Sequence, residues 1–240
     1  MRLLHWRPVW WRPRVQCLLC GGTAEQAVLP LCAGCDDDLP WLAGHCVICA
    51  LPLPTLDLAC GQCLRRAPAF QKVETPLRYG FPVDALITRF KHQANAALGR
   101  LLGQLLARHL LHVFDEGLAR PERLIPVPLS RRRERQRGFN QAALLADWIA
   151  GPLGVPVDNR LVLRAQDTPA QQGLDAATRK RNLRNAFVLA DGAMVDGLHL
   201  ALVDDVLTTG ATAERIARLL RRAGARRVDV YCLARTPAPE

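Results

Sequence analysis

Eight of the nine cysteines fall within residues 17–63 as four Cys-x-x-Cys pairs: Cys17/Cys20, Cys32/Cys35, Cys46/Cys49 and Cys60/Cys63. Two thiolates separated by two residues grip one metal ion from a single tight turn. Two such knuckles complete the tetrahedral four-thiolate site that zinc prefers, and sites of this kind hold small domains together. Eight ligands make two structural zinc sites. Neighbouring knuckles can share a metal, first with second and third with fourth, or the sites can interleave; the sequential arrangement needs only local hairpins. Gly21 and Gly22 follow the first knuckle, where the chain must turn back. Four evenly spaced pairs argue against disulfides or a redox centre. With no apolar secretory segment at the N-terminus, they point to a reducing, cytoplasmic compartment. Cys232, alone in an apolar segment, reads as a small buried hydrophobe.

The cysteine segment, 17–66, follows a leader (1–16) that mixes arginines with Trp6, Trp10 and Trp11, and composition changes again near Ala67–Thr75. From residue 76 to 236, apolar runs alternate with helical patterns. Ala85–Phe90, Leu98–Phe114, Asn140–Ile149 and Ala213–Ala223 read as helices, the last closed by Gly224. Leu124–Leu129, Leu198–Val203 and Val228–Leu233 read as buried strands. Short apolar strands between amphipathic helices predict an α/β domain with a mostly parallel sheet covered on both faces. Aromatic residues are 5% of the chain, so its core should be aliphatic. Leu98–Phe114, the most apolar long stretch, carries Arg100 and Arg108 and is too short to span a bilayer. The formal charge of +10 favours polyanionic partners, either nucleic acid or a small ligand bearing several phosphates.

Residues 200–212 read Leu-Ala-Leu-Val-Asp-Asp-Val-Leu-Thr-Thr-Gly-Ala-Thr. A buried strand ends in the carboxylates of Asp204 and Asp205, a turn supplies hydroxyls and a glycine, and a helix begins at about Ala213. The amides at that helix N-terminus, with Thr208, Thr209, Gly210, Ala211 and Thr212, suit a phosphate monoester. The acidic pair suits ribose hydroxyls and a magnesium ion. The carboxyl ends of parallel strands are also where open α/β sheets place ligands. Lys91, after Phe90, reads as an exposed lysine at a helix end.

The thirteen residues resemble the signature of type I phosphoribosyltransferases. With them, Ile125-Pro-Val-Pro-Leu129, Arg137-Gly-Phe-Asn-Gln141, Asp167–Leu174 and Arg179–Phe187 resemble the ComF family across residues 17–235. That resemblance implies an N-terminal double zinc ribbon (17–66) joined to a phosphoribosyltransferase-like domain (76–236). It also implies a ribose and 5′-phosphate loop at Asp204–Thr212 for phosphoribosyl pyrophosphate with magnesium. The turn Ser130–Gly138 would be the pyrophosphate loop, with Arg131, Arg132 and Arg137 as its phosphate ligands. Gln166–Asn185 would be a flexible loop closing over the site.

The family is linked to DNA uptake in natural competence, or to the use of external DNA as a nutrient. Expected partners are therefore single-stranded DNA and other DNA-uptake proteins. Two further functions fit the same residues: a transferase of nucleotide metabolism, displacing pyrophosphate at the ribose anomeric carbon, or a regulator that senses phosphoribosyl pyrophosphate without turnover.

Overall fold

A computed structural model describes residues 15–24, 29–93, 95–164 and 186–238. The leader through residue 14 and the expected closing loop at 166–185 lie outside the described residues. The chain forms two compact units, Met1–Leu39 and Pro40–Glu240.

In the smaller unit the first knuckle is a tight turn, with the Cys17 amide donating to Gly22 O at 2.7 Å and the Gly21 amide to Cys17 O at 2.9 Å. Gly21 takes φ +76°, a backbone state that costs glycine nothing. The short helix α1 (Ala33–Asp37) follows the second knuckle at Cys32.

The larger unit begins with the third and fourth knuckles, the latter on helix α2 (Gly61–Arg65). Strands β1 (Lys72–Glu74) and β2 (Leu77–Arg78) lead into helices α3 (Val83–Gln93) and α4 (Ala96–Asp115). Strand β3 (Arg123–Pro126), helices α5 (Arg131–Arg137) and α6 (Gln141–Leu153), and the hairpin strands β4 (Val162–Arg164) and β5 (Phe187–Leu189) come next. Strand β6 (His199–Leu207), helix α7 (Ala211–Arg222) and strand β7 (Arg227–Arg235) complete the unit. The main sheet has the order β1-β7-β6-β3, with β2 also on β7, and every pairing in it is parallel. The central strands, β6 and β7, are paired from His199/Arg227 to Leu207/Arg235.

Helices cover both faces, as the alternation of apolar runs and helical patterns requires. Val228, Val230 and Cys232 share a core with Ile216, Ala217 and Leu220 of α7. The alternate residue Tyr231 meets Phe114 of α4, ring centroids 6.3 Å apart. The core is mostly aliphatic, and Cys232 is fully buried within it. Cys46, Cys49, Cys60 and Cys63 belong to the same core as α7, with Phe70 and Val73. No helix among the described residues is long and apolar enough to cross a membrane.

Some elements differ from the sequence expectation. Ser130–Gly138, expected as a turn, contains the two-turn helix α5. Ser130 Oγ accepts from the Arg133 amide at 3.3 Å, Gly138 ends the helix at φ +80°, and the residues between are all good helix formers. Strand β6 also runs on past Val203 through both aspartates to Leu207, and α7 begins at Ala211 rather than Ala213.

An aromatic cluster fixes α3 against α6. Phe90 stands 5.7 Å from Trp148 of α6 and 5.9 Å from Phe139, centroid to centroid. Gly99 of α4 lets these rings in: a Cβ there would lie 2.4 Å from Trp148 Cη2 and 2.6 Å from Phe90 Cε2. Gly99→Ala is therefore expected to destabilise the protein by about 1–3 kcal/mol, measured by urea unfolding.

Candidate functional site

The carboxyl ends of β3 and β6 lie side by side, with Pro126 opposite Val203. Beyond them Asn140 works twice. Its Oδ1 caps α6 by accepting from the Ala142 amide at 3.0 Å, and its Nδ2 donates to Val127 O at 3.1 Å. This holds the segment after β3 at the sheet end where the acidic pair emerges.

Asp205 is 5% exposed, and the expectation for its neighbourhood needs correction. Lys91 is not an exposed lysine. Its Nζ lies 2.8 Å from Asp205 Oδ2, with side-chain exposures of 21% and 7%. The reason is tertiary: Phe90, locked into the aromatic cluster, sets the rotation of α3 so that the next residue faces the end of β6. Asp205 Oδ1 accepts from the Val206 amide at 2.7 Å and Asp204 Oδ1 from the Asp205 amide at 2.9 Å, so both carboxyls turn back along the strand. Burial, and then the adjacent Asp205 carboxylate, push the Asp204 carboxyl up to about 8; the Lys91 ammonium pulls the other way. The shift belongs to the pair, which takes up a proton more readily than two isolated aspartates, and a pair that shares one proton can both donate and accept hydrogen bonds.

The threonine loop follows. Thr208 and Thr209 are exposed, and Gly210 takes φ +73° in open space, where a Cβ would meet no atom within 4 Å. Its requirement is conformational rather than a close approach, because only glycine enters α7 at that angle without strain. The Ala211 amide donates to Thr209 Oγ1 at 3.3 Å. Among the described residues, the Thr212 and Ala213 amides donate to no protein acceptor. Two free donors at the start of a twelve-residue helix suit an anion, with the dipole in its favour. The structure thus brings together Asp204, Asp205, Thr208, Thr209, Gly210, Ala211 and Thr212. Arg137 lies on α5, beyond the end of β3; the side chains of Arg131 and Arg132 lie outside the described residues.

The cysteines gather as the sequential pairing predicts, Cys17/Cys20/Cys32/Cys35 and Cys46/Cys49/Cys60/Cys63, with all four Sγ atoms of each group within 4.8 Å of one another. A tetrahedral metal with bonds of about 2.3 Å to sulfur sets neighbouring sulfurs about 3.8 Å apart. Cys20 and Cys32 Sγ are 3.6 Å apart, and Cys49 and Cys60 Sγ are 3.7 Å apart. The Cys60 amide points at Cys46 Sγ from 3.2 Å and the Cys49 amide at the same sulfur from 3.5 Å, as a thiolate requires. Against the rise from burial, these and neighbouring amides bring the Cys46 thiol down to about 7. Both groups fit a divalent metal.

Residues 140–240 match the phosphoribosyl transferase domain family. The chain is 38% identical to the DNA utilization protein YhgH of Salmonella typhimurium over 92% of its own length and 96% of that protein. It is equally identical, over the same shares, to competence protein F of Haemophilus influenzae. This chain belongs to the ComF family. Competence protein ComFC of Bacillus subtilis, 26% identical over 92% of this chain and 95% of its own, is a more distant relative. Within this ComF chain, motif reading located the acidic pair and the loop but missed what braces them. Lys91 looked like a surface residue, and Arg235 carried no motif signal at all. The latter is buried at the end of β7 and donates to carbonyls of Leu207, Thr208 and Thr236.

The raised Asp204 has a consequence for stability. An aspartate in an unfolded chain titrates near about 3.9. Between about pH 4 and about pH 8 the unfolded chain gives up a proton that the folded one keeps, so this group's contribution to stability falls as pH rises. Asp204→Asn has no such proton to lose. Thermal melts from about pH 5 to about pH 9 are expected to show its stability relative to the parent improving up to about pH 8 and levelling off above.

Proposed function

We propose that this chain acts in the uptake or processing of external DNA and binds phosphoribosyl pyrophosphate, with magnesium, at Asp204–Thr212. The observation that carries the reading is the meeting of the acidic pair with the two free amides of Thr212 and Ala213 at one strand end. A sugar hydroxyl partner and a phosphate partner then lie one turn of chain apart. Membership of a family whose relatives are named for DNA utilization and competence supplies the process. Single-stranded DNA is the macromolecular partner that the charge favours. Five of the seven residues of α5 are arginines against the single Glu134, and such a helix tracks phosphates through their charge. Other DNA-uptake proteins are further partners. Zinc fills both cysteine groups, and a cytoplasmic location keeps their thiols reduced. The eight ligands are Cys17, Cys20, Cys32, Cys35, Cys46, Cys49, Cys60 and Cys63. Magnesium, when bound with the ligand, would offset pyrophosphate charge beside Asp204 and Asp205, and Arg131, Arg132 and Arg137 would add their guanidinium groups to the same end of the ligand.

Metal analysis after anaerobic purification is expected to give two zinc ions per chain. Calorimetric titration of magnesium with phosphoribosyl pyrophosphate is expected to show saturable binding that Asp204→Asn/Asp205→Asn loses. A folded, zinc-loaded protein that binds none of it would overturn the ligand reading. Single-stranded DNA should bind with an affinity that falls steeply as salt rises; affinity independent of salt would remove the arginines from the interface.

A further inference from the structure

Arg235 is the last residue of β7 and is 5% exposed, yet among the described residues it forms no ion pair. Its Nε donates to the carbonyl of Cys49, a member of the second cysteine cluster, at 3.0 Å. Its Nη1 donates to Leu207 O and Thr236 O, each at 2.9 Å, and to Thr208 O. One planar guanidinium thus holds a cluster cysteine on one side and, on the other, the carbonyls of Leu207 at the end of β6 and Thr208 at the start of the threonine loop. A second tie runs parallel to it: the Ala69 amide, beyond the fourth knuckle, donates to Glu214 Oε2 in the first turn of α7 at 2.7 Å. Between the two ties lies a cavity of about 450 Å³ whose wall includes Cys49, Cys63, Thr209 and Gly210.

In a trans peptide the C=O and N–H point in opposite directions. Holding Leu207 O and Thr208 O toward Arg235 therefore turns the amides of Thr208 and Thr209 away from it, and these are the loop's exposed residues. A phosphate loop works only if its amides converge, so the group that orients its carbonyls sets its affinity. Charge points the same way. A buried guanidinium without a counter-charge is costly. A divalent ion on four thiolates leaves two negative charges in excess, which supply what no described carboxylate does.

We propose that Arg235 is a positioning residue that makes the threonine loop depend on metal in the second cysteine cluster. With metal bound, the Cys49 carbonyl is fixed and Arg235 presents the loop amides outward. Without it, the loop loosens and phosphate affinity falls. The ligand half of this inference rests on the phosphate reading given above; the loop half does not.

The test uses the full chain and a Cys20→Ser/Cys35→Ser variant in which metal remains only at the second cluster. Backbone hydrogen exchange across residues 206–213 and magnesium–phosphoribosyl pyrophosphate affinity are measured before and after chelation, with metal content followed throughout. Chelation is expected to speed exchange and weaken binding by about tenfold or more. Arg235→Gln, still metal-loaded, should show both changes beforehand and little more on chelation, since one latch cannot be released twice. Arg235→Lys, which keeps the charge but cannot fork between both carbonyl sets, should behave as Arg235→Gln does. Should the Arg235 variants fail to fold, chelation of the cysteine variant decides alone. Exchange across 206–213 that ignores emptying of the second cluster overturns the proposal. Faster exchange in a protein that never binds phosphoribosyl pyrophosphate keeps the latch and removes the ligand reading.

Discussion

The parallel pairing of β6 with β7 is the constraint on which the rest of this structure depends. Nine residues of each strand lie almost wholly inside the core, and the register carries their far ends to Leu207 and Arg235. The acidic pair, the threonine loop and Arg235 all hang from those two ends. The acidic pair and the threonine loop extend from β6, and the guanidinium that orients the loop extends from β7. Because both faces of these strands are packed, a one-residue slip would exchange the two sets of packing partners, so the hydrophobic core holds the register that brings loop and guanidinium together.

Around this frame, buried charge is handled in two ways. Asp205 has Lys91, delivered by the aromatic packing of Phe90 with Trp148 and Phe139. Asp204 forms no ion pair among the described residues, and burial with the neighbouring Asp205 carboxylate pushes its carboxyl up to about 8. The two adjacent carboxyls therefore differ in environment, one paired with a lysine and one not. Arg235 is the reverse case, a buried cation among carbonyls, one of them that of Cys49 in the second cysteine cluster. The second cysteine cluster is consequently more than an attachment: its four cysteines share the core of α7 and β7.

Much of this was legible in the chain. The four Cys-x-x-Cys pairs, the strand–loop–helix of residues 200–212 and the alternation of apolar runs with amphipathic helices are local patterns, each set by spacing over a few residues. Short-range hairpins favoured the pairing of neighbouring knuckles without deciding it against interleaved sites. One failure was local, the other, Lys91, tertiary. The arginine-rich segment after Ser130 read as a turn because its charge drew attention to ligands, whereas a serine cap, helix-forming side chains and Gly138 specify a helix.

The sequence by itself determined the four Cys-x-x-Cys knuckles, the α/β class and the position of the acidic pair and threonine loop, because spacing and periodicity carry those signals along the chain; which knuckles share a cluster was decided by the tertiary structure. Only the tertiary structure decided that the second cluster is built into the core of the larger unit, that Lys91 belongs to Asp205, and that Arg235 joins Cys49 to Thr208. The two contacts of Arg235 bridge 186 and 27 residues of chain, and Lys91 reaches Asp205 from the far side of the domain's sequence. Such contacts arise from helix rotation and strand register, which depend on the packing of the whole core and leave no mark on the residues nearby.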